Sequence, residues 1–213
     1  MPATIYTIHY ETPEKHKIRK IIEVLHEGGV ILYPTDTGYS LGCKLSNKEA
    51  ITKLRRIRKM DTDHPMTFLC LDISNISEYA KVENNAYKMI KRLTPGPYTF
   101  ILPASKNVPK FSYNPKRKTS GIRIPDNRLC KALLMELGEP LICVTAKLPD
   151  KNEFDDNEDT INAFMKLVEV CVRTNEHHFV GESTVIDMTQ EEFVVQRRGA
   201  GYDELQDIIS DEL

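Results

Sequence analysis

The chain has 213 residues, 40% of them hydrophobic, and a formal net charge of −2. That length and apolar content suit one sizeable core in one domain over 1–213, and no uninterrupted apolar run reaches the about eighteen residues of a membrane-spanning helix. Met1-Pro2-Ala3-Thr4 has neither the basic start nor the apolar stretch of a secretory leader, so the expectation is a soluble, cytoplasmic protein without a membrane partner.

The five cysteines, Cys43, Cys70, Cys130, Cys143 and Cys171, are odd in number, spread out and free of CxxC spacing. They read as reduced core residues, with neither a disulfide framework nor a structural zinc site. Charge is segregated by sign. Lys53, Arg55, Arg56, Arg58 and Lys59 form one basic cluster, and Lys110, Lys116, Arg117, Lys118 and Arg123 form a second. Acidic residues gather at 150–159 and 203–213. A local positive face on an acidic protein follows from this, although a solvated charged helix explains the first cluster equally well.

In chain order, Pro13 can open a helix whose apolar stripe is Ile18, Ile21, Ile22 and Leu25 and which Gly28-Gly29 ends. Val30-Ile31-Leu32-Tyr33 is a buried strand stopped by Pro34, and residues 34–42 are the loop after it. Ser46-Asn47-Lys48-Glu49 reads as a capping box for a second helix, with Ala50, Leu54 and Ile57 inward. Residues 66–71 read as a strand, 84–93 as a helix burying Ala86, Met89, Ile90 and Leu93, and 98–102 and 121–124 as strands. Asp126 is expected to cap a helix that Gly138 stops, followed by a strand at 141–145, a helix at 161–167, and strands at 168–172, 183–188 and 193–196. Alternating elements imply an α/β domain with a partly parallel sheet and ligands at strand ends. Residues 149–158 and the acidic tail, 200–213, are expected to be poorly structured.

Hydroxyls, an aspartate and glycines directly after a buried strand, as in residues 34–42, can hold a carboxylate or phosphate. A plain turn in which Asp36 and Thr37 bond their own backbone is the alternative. Ser183 and Thr184 put two hydroxyls at a strand start, and Arg197-Arg198 could clamp phosphate, though local capping and a surface arginine pair account for the same residues. His177 and His178 would point to opposite sides of a strand and so cannot chelate one ion. His64 lies in a loop after a basic helix. No Walker A loop, GxGxxG or HExxH occurs.

Five segments together carry more weight than any one of them. Pro34-Thr35-Asp36-Thr37-Gly38-Tyr39-Ser40-Leu41-Gly42, Leu54-Arg55-Arg56-Ile57-Arg58, Thr94-Pro95-Gly96-Pro97-Tyr98-Thr99, Gly121-Ile122-Arg123-Ile124-Pro125 and Ser183-Thr184-Val185-Ile186-Asp187 stand in one order. In that order and spacing the chain resembles the YrdC/YciO family over about residues 6–199. The resemblance implies a twisted mixed α/β sheet with a large concave, positively charged cavity. It also implies synthesis of threonylcarbamoyl-adenylate from L-threonine, bicarbonate and ATP with Mg²⁺, in service of the t6A modification of tRNA. By the same resemblance Thr35, Thr37, Arg123, Ser183 and Thr184 would bind the threonine end. Arg58, His64, Lys118, Thr119, Thr145, Lys147 and Arg197 would bind the nucleotide and its phosphates.

The chain departs from the synthase pattern LxxxKxR…NP and SxN, which falls here on Leu54, Arg58, Met60, His64-Pro65, Thr145 and Lys147. A thioether at position 60 cannot replace a fork of N–H donors, and Lys147 cannot accept a hydrogen bond as asparagine does. The run from Lys116 to Arg123 is similar to the YciO branch. Two further readings fit the same cavity: a module that binds tRNA or double-stranded RNA, and a hydrolase acting on the threonylcarbamoyl-modified nucleoside in tRNA.

Overall fold

The apolar run before Pro34 forms a strand buried along its whole length, and its side chains divide by parity. Ile31 and Tyr33 join one hydrophobic cluster, whereas Leu32 joins the other. This is the period-two signature of a strand covered on both faces. The computed structural model describes residues 2–62, 64, 66–113, 116–149 and 156–211. Its elements are β1 (Thr4–Ile8), α1 (Lys15–His26), β2 (Ile31–Pro34), β3 (Tyr39–Lys44), α2 (Lys48–Arg58), β4 (Thr67–Leu69), α3 (Ile73–Tyr79), α4 (Asn84–Leu93), β5 (Tyr98–Pro103), β6 (Thr119–Arg123), α5 (Arg128–Leu137), β7 (Leu141–Thr145), α6 (Asn157–Phe164), β8 (Val170–Thr174), β9 (Thr184–Asp187), β10 (Val194–Arg197) and α7 (Tyr202–Asp211).

The strands form one mixed sheet in the order β1-β8-β2-β3-β7-β4-β6-β5-β9-β10. Four pairs are parallel (β1 with β8, β2 with β8, β4 with β6, β5 with β9) and the others antiparallel (β2 with β3, β3 with β7, β4 with β7, β5 with β6, β9 with β10). The stripes of α1 and α5 pack with Ile31, Tyr33, Leu69 and Cys143 on one face. The larger cluster takes α2, α4, α6 and α7 together with Phe68, Phe100, Ile122 and Ile186. All five cysteines are free and buried.

Several local expectations are corrected. Residues 34–42 are not all loop: after a turn at 35–38 the chain returns as β3, antiparallel to β2, with Tyr33 opposite Ser40. The box Ser46…Glu49 does not form. Asn47 is the cap, accepting from Ala50 N at 2.9 Å, while Ser46 Oγ donates to Glu139. Asn127 rather than Asp126 caps α5, because its carboxamide reaches Cys130 N at 3.0 Å. Helix α1 starts at Lys15 rather than at Pro13, with the Glu14 side chain engaged by His9 N and Lys17. The stretch 149–158 ends in structure, since Asp156 caps α6 through Asp159 N, and 150–155 lie outside the described residues.

The acidic tail is likewise helical. Leu205 is fully buried, and the Tyr98 hydroxyl lies 2.9 Å from Gly201 O and 2.8 Å from the Glu204 carboxylate. Gly201 has φ +80°, and a Cβ there would collide with the Tyr98 ring, so glycine is required where α7 begins. Leu205→Ala is expected to lower stability by about 2–3 kcal/mol through the cavity it leaves, measured by urea unfolding. An unchanged midpoint would show that the helix is not docked.

Candidate functional site

The pleat selects which side chains can act. Thr99 and Ile101 on β5, Thr119, Gly121 and Arg123 on β6, Cys143 and Thr145 on β7, and Ser183 and Val185 at β9 all line one cavity. Their neighbours Phe100, Ile122, Ile142 and Ile186 face the larger core, while Val144, between Cys143 and Thr145, packs against that core and also edges the cavity. The cavity is the part of the α1/α5 face that those helices leave open. It measures about 720 Å³. Gly121 keeps its floor low, since a Cβ there would stand 3.3 Å from Thr67 Oγ1 and 3.4 Å from Thr99 Cγ2.

Of the residues singled out from the sequence, Thr37, Arg58, His64, Thr119, Arg123, Thr145, Lys147, Ser183 and Arg197 come together on this cavity. Thr35, Lys118 and Thr184 are absent from its lining. Thr184 is fully buried behind the strand, donating to Ala200 O at 2.9 Å and accepting from Gly199 N at 3.0 Å. Lys118 is exposed, with its carbonyl accepting from Ala104 N. Thr35 fixes the turn: its hydroxyl donates to Gly38 O at 2.8 Å and accepts from Thr37 N at 3.1 Å. The turn is closed by the Thr35 side chain, not by Asp36 and Thr37 side chains bonding their own backbone. Asp36 behaves otherwise.

Asp36 and Arg123 are 5% and 6% exposed and form a buried ion pair. Asp36 also accepts from Asp126 N at 3.2 Å. A second Arg123 nitrogen donates to Thr37 Oγ1, and the Arg123 Nε–H has no acceptor among the described residues. With Thr37 Oγ1 accepting from Arg123, the Thr37 hydroxyl proton is left to point at Thr35 Oγ1 or at a ligand. Arg58 is the second such donor. It reaches from α2 into the cavity, donates from one terminal nitrogen to Lys147 O at 2.6 Å and leaves Nε–H unpartnered among the described residues. Burial pushes its pKa down from the usual guanidinium value.

Arg197 is held by Ser183. Its Nε donates to Ser183 O and a terminal nitrogen to Ser183 Oγ, each at 2.9 Å, while Thr99 Oγ1 lies 2.9 Å from the same hydroxyl. Glu182 stands between Lys147 and Arg197, at 3.0 and 3.3 Å. The hydrogen bond from Lys147, with the Arg197 charge, holds its carboxyl below the ordinary range. Met60 packs against the larger core and does not line the cavity. Buried Arg55 donates to Asp61 O at 2.6 Å, shaping the chain that leads to His64. His177 and His178 lie after β8 rather than in a strand, the first against Tyr39 and the second against Tyr10. Cys143 touches the cavity, but burial raises its thiol to about 11, which leaves it no nucleophile at neutral pH.

Sequence reasoning missed Glu182, Tyr39, Ser40 and Thr99 as lining residues, and did not place Lys116 and Arg117 there. Parity could have found two of them: Thr99 is the partner of Val185 and shares its face with Ser183, and Ser40 is the partner of Thr145. No cluster of three His, Cys, Asp or Glu able to hold a metal ion occurs among the described residues.

The mixed α/β sheet thus gathers arginines, lysines and several hydroxyls in one open concavity. The chain belongs to the Sua5/YciO/YrdC family, whose sequence model, described as telomere recombination, matches residues 23–199. It is 40% identical over 203 residues to the uncharacterized protein YciO of Escherichia coli K12, covering 93% of this chain and 97% of that one. The crystal structure of E. coli YciO superposes with a TM-score of 0.83 at 38% identity, over 92% of this chain and 96% of the other. P. abyssi Sua5 complexed with L-threonine gives a TM-score of 0.88 at 26% identity over 97% of this chain and 61% of that one. A threonylcarbamoyl-AMP synthase of Vibrio vulnificus is 28% identical over 139 residues, 64% of this chain and 74% of the other. No helix among the described residues is long and apolar enough to cross a membrane.

Proposed function

We propose that this cavity binds L-threonine and ATP and that the protein makes from them and bicarbonate the threonylcarbamoyl-adenylate used in the t6A modification of tRNA, releasing pyrophosphate. The observation that carries the reading is the pair of cavity-lining guanidiniums, Arg58 and Arg123, each with a buried Nε–H that has no acceptor among the described residues. Buried donors without partners are costly, and a bound oxyanion supplies the missing acceptors. Similarity to Sua5 complexed with L-threonine and to a threonylcarbamoyl-AMP synthase supports the choice of ligands.

The chemistry asks little acid or base of the protein. The threonine nitrogen, having lost its ammonium proton, bonds to the carbon of bicarbonate with a C–O bond broken and water released; a carbamate oxygen then attacks the α-phosphorus, the bond to the oxygen bridging to the β-phosphate breaks, and its electron pair leaves on pyrophosphate. Arg123 with Thr37 would orient the threonine carboxylate, and Arg58, Lys147 and Arg197 would hold charge on the phosphates. Because Asp36 already neutralises Arg123, the carboxylate is recognised chiefly by hydrogen bonds rather than by a free charge. Mg²⁺ would enter with ATP and supply charge neutralisation at the phosphates, no group of three His, Cys, Asp or Glu among the described residues being placed to hold it.

Purified protein given ATP, L-threonine, bicarbonate and Mg²⁺ is expected to release pyrophosphate, and omission of threonine or bicarbonate to abolish it. No release from any mixture rejects the synthase reading. Binding of tRNA or double-stranded RNA that weakens steeply with salt, without pyrophosphate formation, would favour an RNA-binding role for the same surface.

A further inference from the structure

Lys147 and Arg197 approach the cavity mouth from the ends of different strands, and the Glu182 carboxylate spans them, one oxygen to each. Neither Arg197 nor the local backbone depends on that side chain. Arg197 is fixed by Ser183, and the Glu182 carbonyl accepts from Ala200 N at 2.8 Å whatever the side chain is. The Lys147 backbone is engaged separately by Arg58. Glu182 has 50% of its side chain exposed, so its two ion pairs are screened and readily exchanged. It is also the one carboxylate that lines the cavity among the described residues, and it occupies the position between two cations where a bridging phosphate would sit.

We infer that Glu182 is a tethered competitor for the polyphosphate held by Lys147 and Arg197, reclaiming both cations as pyrophosphate leaves. The identity of the displaced anion as pyrophosphate rests on the synthase reading, whereas the competition itself does not. A highly charged ligand outbids one carboxylate on entry, and the carboxylate lowers the barrier to release. Glu182 is thereby a specificity-determining residue that acts on the phosphate end, without touching the reacting atoms.

The test is calorimetric titration of the full chain with inorganic pyrophosphate at low salt. Glu182→Gln, which keeps the shape and loses the charge, is expected to bind about fivefold to tenfold more tightly than the parent. In a Lys147→Met background the same change is expected to gain about half as much or less, because one of the two masked cations is gone. Equal or weaker binding by Glu182→Gln, with the parent still binding measurably, overturns the inference and leaves the synthase reading standing. A gain in pyrophosphate affinity in a protein that forms no pyrophosphate from ATP supports the competitor and rejects the synthase. Binding by neither protein overturns the competitor and removes the phosphate subsite with it.

Discussion

Arg123→Met is expected to lower the free energy of unfolding by about 3–5 kcal/mol, because it leaves Asp36 a lone charge in a site 5% exposed. Asp36 would keep only one backbone donor, from Asp126 N at 3.2 Å. Asp36→Asn alone strands the guanidinium in the same way. The double variant Asp36→Asn, Arg123→Met removes both charges and is expected to recover most of the loss in urea unfolding, although it would not bind threonine. A double variant as unstable as the worse single one would show that the pair is not the interaction being broken.

The second large effect is on chemistry rather than stability. Arg58→Met should reduce pyrophosphate formation by about 10²–10³-fold while moving stability by no more than about 1 kcal/mol. The reason is the frustrated state of that side chain. It is half-buried, it donates to Lys147 O, and its Nε–H finds no acceptor among the described residues. Methionine preserves the packing of the stem and relieves the desolvation of a cation, so folding loses little when the donor is removed. A parallel loss of activity and several kcal/mol of stability would assign Arg58 a structural role.

The two arginines illustrate what the sequence could and could not announce. Both stood in quoted segments, and their meeting in one cavity follows from strand and helix placement. That Arg123 carries an internal counter-charge did not follow, because Asp36 sits in a segment whose hydroxyls and glycines look like a self-contained turn. Thr35 does close that turn, while Asp36 reaches across to β6. Elements with a clean apolar period, such as α1, α4 and α5, were legible because burial alone fixes them. β3 was hidden because Ser40, Gly42 and Tyr39 are poor in branched apolar residues, and its stability comes from pairing with both β2 and β7. α3 was hidden by its shortness and polarity, and β1 by its exposed edge.

The acidic end of the chain taught the same lesson from the other side. Its composition argued for a loose tail, but Leu205 and Ile208 recur at helical spacing and are buried, while the acids of the first turn suit a helix N-terminus. At the site, paired residues in the sequence were divided by the pleat: Ser183 faces the cavity and Thr184 the core, Thr119 faces in and Lys118 out. A motif quoted as a string does not reveal that division until strand parity is applied. Glu182 escaped for another reason. An acid beside Gly181 looks like a loop residue until Lys147, 35 positions earlier, is seen to meet it.

The most direct test of the account is a crystal structure of the protein with L-threonine and a non-hydrolysable ATP analogue. The account predicts the threonine carboxylate within hydrogen-bonding distance of Arg123 and Thr37, phosphate oxygens against Arg58 and Arg197, and the Glu182 carboxylate swung away from Lys147. Both ligands bound outside this cavity, or phosphates seated in it while Glu182 still bridges Lys147 and Arg197, would contradict it.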